Sequence, residues 1–169
     1  GVLAGANGGW RWWGVRGGNW TLPFKVATTE HLDGLGGSAS MMEAVNCVGR
    51  RGDKLIGENT DGKGFLQSFR QIADPAGKSV VILGAGGAAR AVAVELALAG
   101  AVSVTVVNRT VQRGQALADL IRQRTASEAI YIAWTGPFSV PDDVQLLINA
   151  TSLVMGDATA RLAITELGS

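Results

Sequence analysis

Six residues, Gly84-Ala85-Gly86-Gly87-Ala88-Ala89, are the part of this 169-residue chain whose spacing points most directly to chemistry. They follow the apolar run Ser79–Leu83 (Ser-Val-Val-Ile-Leu) and open an alanine-rich stretch, Gly87–Ala99. This is a G-x-G-x-x-A pattern set between a β-branched strand and a helix, the context that gives such a pattern meaning. The first glycine permits a tight turn. The second lets a pyrophosphate approach the backbone, and a small sixth residue lets the helix pack close to the strand. The helix N-terminus adds unpaired N–H groups and the positive end of the helix dipole. The pattern predicts a dinucleotide site that includes Gly84, Ala85, Gly86, Gly87 and Ala88.

The end of the next strand selects the nucleotide. A site for NAD places Asp or Glu about 20 residues beyond the glycines, where it binds the ribose 2′-hydroxyl. Here the position reads Asn108-Arg109-Thr110-Val111-Gln112-Arg113, without a carboxylate. Two arginines four apart share one face of a helix start, and guanidinium groups suit a phosphate. NADP is therefore the predicted cofactor, with Asn108, Arg109, Thr110 and Arg113 around its 2′-phosphate. A third segment, Leu146-Leu147-Ile148-Asn149-Ala150-Thr151-Ser152, ends a buried strand in small polar residues. Ligands in open α/β sheets lie beyond the carboxyl ends of strands, so Ala150, Thr151 and Ser152 are expected to border the nicotinamide half.

These segments need an alternating framework to hold them, and the chain supplies one. The pattern predicts strands at Ser79–Leu83, Val102–Val107, Ala129–Ala133 and Gln145–Asn149. Helices are predicted at Gly87–Ala99, ended by Gly100, and at Val111–Arg124. Strand and helix in alternation imply a parallel sheet, and right-handed crossovers make it a doubly wound, Rossmann-type α/β domain. The break Asp74-Pro75-Ala76-Gly77 divides it from an earlier segment, giving expected domains of 1–75 and 76–169. In the earlier segment we expect a helix around Thr28–Leu35 and strands at Glu43–Val48 and Lys54–Ile56. A Gly-Arg-Arg-Gly-Asp turn joins those strands. A helix is expected over Gly62–Ile72, with Phe65, Leu66, Phe69 and Ile72 on one face.

Composition sets the outer bounds. Hydrophobic residues make up 47% and charged residues 17%, a globular balance. Twenty-four glycines beside only four prolines, with no Gly-X-Y period, exclude a collagen and argue against a disordered linker. Fifteen basic and fourteen acidic residues leave a net charge of +1, which argues against a nucleic-acid partner. The apolar region Val80–Val107 is broken by Arg90, Glu95 and several glycines, so no membrane partner is expected. The single cysteine, Cys47, allows no internal disulfide, and the single histidine, His31, makes a metal site unexpected. No leader pattern is evident, and the expected setting is the cytoplasm.

Taken in order, the motifs resemble those of the shikimate dehydrogenase family, including the quinate/shikimate dehydrogenases. The matching segments are Asn19-Trp20-Thr21-Leu22-Pro23-Phe24-Lys25, Glu43-Ala44-Val45-Asn46 and Gly57-Glu58-Asn59-Thr60-Asp61-Gly62. The Gly84–Arg90, Asn108–Thr110 and Asn149–Ser152 segments match as well. The likeness runs over about residues 14–167. It implies a catalytic pair, Lys25 and Asp61, with Thr21 and Asn46 hydrogen-bonding the substrate. Ketone reduction by hydride needs a proton for the developing alkoxide, and lysine is a fit donor. The implied reaction is the reversible, NADPH-linked reduction of 3-dehydroshikimate to shikimate, a small-molecule substrate, in a monomer or homodimer. The nicotinamide is expected between the two domains.

Departures from the family pattern keep other readings open. Trp20 stands where the family has Val, Glu43 where it has Gly, and Val154 where it has Gly near the nicotinamide. The Ser-x-Ser substrate motif and the C-terminal helices of the family have no counterpart. The chain therefore reads as a nearly complete cofactor domain joined to a truncated α/β substrate domain. A non-catalytic NADP-binding homologue, or a quinate/shikimate enzyme with another hydroxy acid, are the alternatives. The cluster Trp10, Trp12, Trp13 and Trp20 in the glycine-rich N-terminal segment has no family counterpart.

Overall fold

The computed structural model describes residues 9, 14, 16–20, 24–25, 27–151 and 164–166. Trp10, Trp12, Trp13, Thr21, Ser152 and Val154 lie outside the described residues. The chain divides into two compact units, Gly1–Gly64 and Phe65–Ser169. The division falls ahead of the Asp74–Gly77 break, inside a helix.

The first unit is built on a four-stranded sheet. Its strands are β1 (Gly17–Asn19), β2 (Gly34–Leu35), β3 (Cys47–Arg51) and β4 (Lys54–Glu58), ordered β1-β3-β4-β2. Strands β3 and β4 form an antiparallel hairpin in which Arg51 opposes Lys54. The loop is thus only Gly52-Asp53, with Gly52 at φ 63°, a left-handed value that suits a two-residue turn. The expected five-residue turn is shorter because Arg50 and Arg51 continue the strand. Strand β3 starts at Cys47 rather than Glu43. A short helix α1 (Gly37–Met42) precedes it, and Glu43 closes that helix at φ 51°. The small residues Gly-Ser-Ala-Ser give no apolar period, so α1 was not legible.

The expected helix at Thr28–Leu35 is instead a 3-10 turn, Ala27–His31, followed by β2. Asp33 explains the change. Its backbone N–H donates to the Leu55 carbonyl at 2.9 Å, and its carboxylate accepts the Leu55 N–H at 2.7 Å. Pairing with the edge of β4 satisfies both groups and outweighs local helical preference. Ala39, Val45, Val48 and Leu55 form the core of this unit, with Trp20, Leu32 and Leu35 packed against them.

Helix α2 (Asp61–Phe69) crosses from one unit into the next. Phe65, Leu66 and Phe69 pack on the second core, as their spacing predicted. Ile72 does not join them and is 86% exposed, because the helix ends at Phe69.

The second unit carries the parallel sheet. Its strands are β5 (Ser79–Leu83), β6 (Ser103–Asn108), β7 (Glu128–Ala133) and β9 (Leu146–Asn149), ordered β7-β6-β5-β9 and all parallel. Helix α3 (Gly87–Leu98) and helix α4 (Val111–Arg124) cover one face. There Val80, Ile82, Val104 and Val106 meet Ala89, Val92, Ala93 and Leu96 of α3 and Leu117, Ala118 and Ile121 of α4. The opposite face, led by Val81, Leu83 and Val107, packs on Phe138 and Val140. Phe138 belongs to β8 (Phe138–Ser139), which pairs in parallel with β10 (Ile164–Glu166). Helix α3 ends on Ala99, and Gly100 follows at φ 96°, the left-handed residue that terminates a helix. Strand order runs outward from β5 through β6 to β7, then reverses to place β9 on the other side. That reversal is the topological switch point of a doubly wound sheet, and it opens a crevice at the strand ends. Among the described residues no helix is long and apolar enough to cross a membrane.

Two glycines with opposite surroundings test this packing. A Cβ on Gly57 in β4 would stand 2.5 Å from Leu32 Cδ1 and 2.6 Å from Val45 Cγ2, whereas one on Gly64 in α2 meets nothing within 4 Å. Gly57→Ala should lower unfolding free energy by about 1–3 kcal/mol. Gly64→Ala should raise it by about 0.5–1 kcal/mol. Urea denaturation of the two variants checks both signs.

Candidate active site

Asn46 organises the first unit's polar cluster. Its backbone is tied on both sides, with its N–H donating to the Glu58 carbonyl at 3.1 Å and its carbonyl accepting the Trp20 N–H at 2.8 Å. The neighbouring Val45 N–H reaches the Lys25 carbonyl at 2.8 Å. The segment carrying Lys25 is therefore anchored beside the hairpin that leads to Asp61.

The Asn46 side chain is buried, at 8% exposure, and both of its ends are used. Oδ1 accepts the Thr60 N–H at 2.8 Å and the Thr60 hydroxyl at 3.2 Å. Nδ2 donates to Asp61 Oδ1 at 2.5 Å. A backbone N–H can only donate, so it fixes which end of the amide is oxygen and turns the NH2 toward Asp61. The other carboxylate oxygen, Asp61 Oδ2, accepts Lys25 Nζ at 2.7 Å. Asn59 adds a third tie, accepting the Asp61 N–H at 3.3 Å and donating to the Ala44 carbonyl at 3.2 Å.

Lys25, Asn46 and Asp61, singled out by sequence, are thus brought together. Thr21 lies outside the described residues. Asn59 and Thr60 belong to the matched motif, but their work as braces was not foreseen; two polar side chains directly before the acid were the available signal. The Lys25 and Asp61 side chains remain 26% and 48% exposed, so both can reach a ligand. Glu58, the nearby acid, is engaged by Lys63 at 2.7 Å and Arg51 at 3.3 Å. The result is an ammonium and a carboxylate side by side at an accessible surface. The first can deliver a proton to an alkoxide, and the second can accept one from a hydroxyl. Among the described residues no group of three or more His, Cys, Asp or Glu could hold a metal ion.

The glycine turn of the second unit occupies the switch point. Gly84 sits at φ 108°, and a Cβ there would approach the Ala150 carbonyl oxygen to 3.0 Å. The Gly84 N–H donates to Val107 at 2.8 Å, and the Ala150 N–H to Leu83 at 2.9 Å, so the turn locks the ends of β5, β6 and β9 together. Gly86 caps α3 in an extended conformation without any side-chain bond, and no acid occupies the first turn. Around Gly86 and Gly87 a Cβ would meet nothing within 4 Å. Ala88 is exposed, whereas Ala89 is fully buried against the sheet. The open glycines, the uncapped N-terminus and the absence of a competing acid all fit a pyrophosphate.

At the end of β6, Asn108 spends its side-chain amide on the Thr110 carbonyl at 2.9 Å. Arg109 and Arg113 are exposed and have no ion-pair or hydrogen-bond partner among the described residues. Thr151 folds back on the Asn149 carboxamide oxygen through its N–H at 3.0 Å and its hydroxyl at 2.7 Å, shaping the end of β9. Ser152 lies outside the described residues.

A glycine-rich turn at the switch point of a parallel sheet, preceded by a unit holding a Lys–Asp pair, defines a Rossmann-type α/β protein of the kind that binds dinucleotides. Comparison with known proteins narrows the class. Residues 67–152 match the model of the shikimate / quinate 5-dehydrogenase family. A shikimate dehydrogenase (NADP(+)) from Geobacter metallireducens is 41% identical over 163 residues, covering 92% of this chain and 56% of that protein. The ligand-free 5-ketofructose reductase of Gluconobacter sp. strain CHM43 is 51% identical, with a TM-score of 0.92 over 96% of this chain and 58% of the other. Shikimate 5-dehydrogenase from Thermus thermophilus, solved with NADP(H) and shikimate, is 38% identical, with a TM-score of 0.68 over 89% and 53%. The chain belongs to the shikimate / quinate 5-dehydrogenase family. It spans a little over half the length of these relatives.

The arrangement separates structural from chemical roles. Asn46→Ala removes the partner of a backbone N–H and should cost about 1–2 kcal/mol of stability. Lys25→Ala removes half of a solvent-screened pair and should cost less than about 1 kcal/mol. Thermal unfolding of the two variants against the parent checks the ranking.

Proposed function

We propose that this chain carries the catalytic pair and the cofactor domain of an NADP-dependent oxidoreductase of the shikimate dehydrogenase type. The reaction is the reversible reduction of 3-dehydroshikimate to shikimate, a step toward chorismate and the aromatic amino acids, in the cytoplasm. The observation that carries this reading is the Lys25–Asp61 pair, held at 2.7 Å and oriented by Asn46.

NADPH, when bound, supplies the hydride. The protein's residues do the rest. The Gly84–Ala88 turn and the N-terminus of α3 would hold the pyrophosphate, Arg109 and Arg113 would hold the 2′-phosphate, and Ala150–Ser152 would border the nicotinamide half. Lys25 donates a proton to the oxygen of the carbonyl being reduced, and takes it back in the reverse direction. Asp61 keeps the ammonium in place and accepts a hydrogen bond from a neighbouring substrate hydroxyl. Asn46 uses one N–H on Asp61 and has a second for the substrate, and Thr21 supplies a further contact.

A second substrate reading has a specific observation behind it. The 51% identity to a 5-ketofructose reductase favours reduction of a keto sugar by the same Lys–Asp pair. Both substrates present a ketone beside hydroxyl groups, so the proton chemistry is shared and the surrounding contacts decide. The full-length protein should reduce 3-dehydroshikimate with NADPH, with a higher kcat/KM than for 5-ketofructose. The reverse ranking moves the assignment to the keto sugar, and turnover of neither sinks both readings. In either case Lys25→Ala should lower kcat by about 10²–10⁴-fold with NADPH binding unchanged.

A further inference from the structure

We propose that Tyr131 is a positioning residue for cofactor selection, aiming the arginine-bearing turn through the Asn108 carbonyl. The proposal rests on the reading of Arg109 as a 2′-phosphate ligand and deepens it. Tyr131 lies in β7, the strand beyond β6, and takes no part in the glycine turn or the arginine pair.

Its hydroxyl donates to the Asn108 carbonyl at 3.0 Å, and the Trp134 N–H donates to the same oxygen at 3.1 Å. Both acceptor positions of the last residue of β6 are therefore filled. The Asn108 side chain then bonds the Thr110 carbonyl, and the Gly114 N–H reaches that carbonyl at 3.1 Å to start α4. Arg109 sits between these two anchored carbonyls. It has no partner of its own among the described residues, so this anchored turn sets the position and the Cα–Cβ direction from which its side chain departs. The first turn of α4 offers no acid and no side-chain cap to redirect it.

Gly114 marks the contact as built. A glycine inside a helix weakens it. Here a Cβ would collide with Cδ2 and Cε2 of the Tyr131 ring, so the missing side chain is the space in which the ring lies. The ring is thus held against α4 with its hydroxyl reaching the end of β6. Two donors on one carbonyl exceed what strand pairing requires, since Trp134 alone already satisfies it. What the second donor adds is a fixed position for the residue before Arg109.

Fluorescence titration of the full-length protein with NADPH and with NADH tests this in three forms: parent, Tyr131→Phe and Arg109→Ala. Tyr131→Phe keeps the ring in the Gly114 space and removes only the hydroxyl. It should raise the Kd for NADPH about three- to tenfold, one hydrogen bond's worth, and change the Kd for NADH less than about twofold. A merely structural hydroxyl would weaken both cofactors alike, and that outcome overturns the proposal. So does unchanged binding of both. If Arg109→Ala is selective against NADPH while Tyr131→Phe is not, the proposal falls and the arginine reading stands. If Arg109→Ala is unselective, both fall.

Discussion

The carboxamide of Asn46 can face only one way, because Thr60 aims a backbone N–H at one of its ends. A buried amide turned over would set donor against donor, at a cost larger than most single contacts supply. Everything in the polar cluster follows from that. The NH2 end meets one oxygen of Asp61, which leaves the other for Lys25. The cluster is buried at Asn46 and open at Lys25 and Asp61, so the anchoring amide is shielded and the charged pair is accessible. Glu58 of β4 and Trp20, just beyond β1, hold Asn46 by its backbone, so the sheet exists in part to fix one side chain.

The second unit works by a similar economy of backbone. A parallel sheet ends in carbonyls and N–H groups that need partners, and at the ends of β5 and β9 they find each other across Gly84 and Ala150. Only a residue without a side chain can sit at φ 108° so near the Ala150 carbonyl. The next glycines then have open space where a phosphate can approach. The arginines at the neighbouring strand end are left without partners among the described residues, held ready by a turn whose carbonyls are already bonded. In the proposed reading, cofactor selectivity depends on where that turn points as well as on which residues it carries.

Much of the parallel sheet was legible from the residues. Ser79–Leu83 and Val111–Arg124 coincide with their elements because a short β-branched run and a long amphipathic period are strong local signals. The first unit was harder. Its helix α1 is made largely of Gly, Ser and Ala, and its edge strand β2 is two residues long. Strand β2 forms because Leu55 and Gly57, some twenty residues further on, accept the N–H groups of Asp33 and Gly36 that flank it, and α1 is held by burying Ala39 and Met42; no local period records either. Ile72 misled for the opposite reason: its spacing continued a helix that had already ended.

By itself, the sequence determined the residue types that chemistry requires: the glycine turn, the arginines where an acid would select NAD, and the motifs holding Lys25, Asn46 and Asp61. These are properties of side chains at fixed spacing and can be read without a fold. Only the tertiary structure decided what each polar group faces. It placed the Lys25 ammonium on Asp61 rather than on Glu58, turned Asn46 toward Asp61, and set Tyr131 behind Asn108. The reason is that hydrogen bonds act over about 3 Å, between residues that sequence separation does not relate.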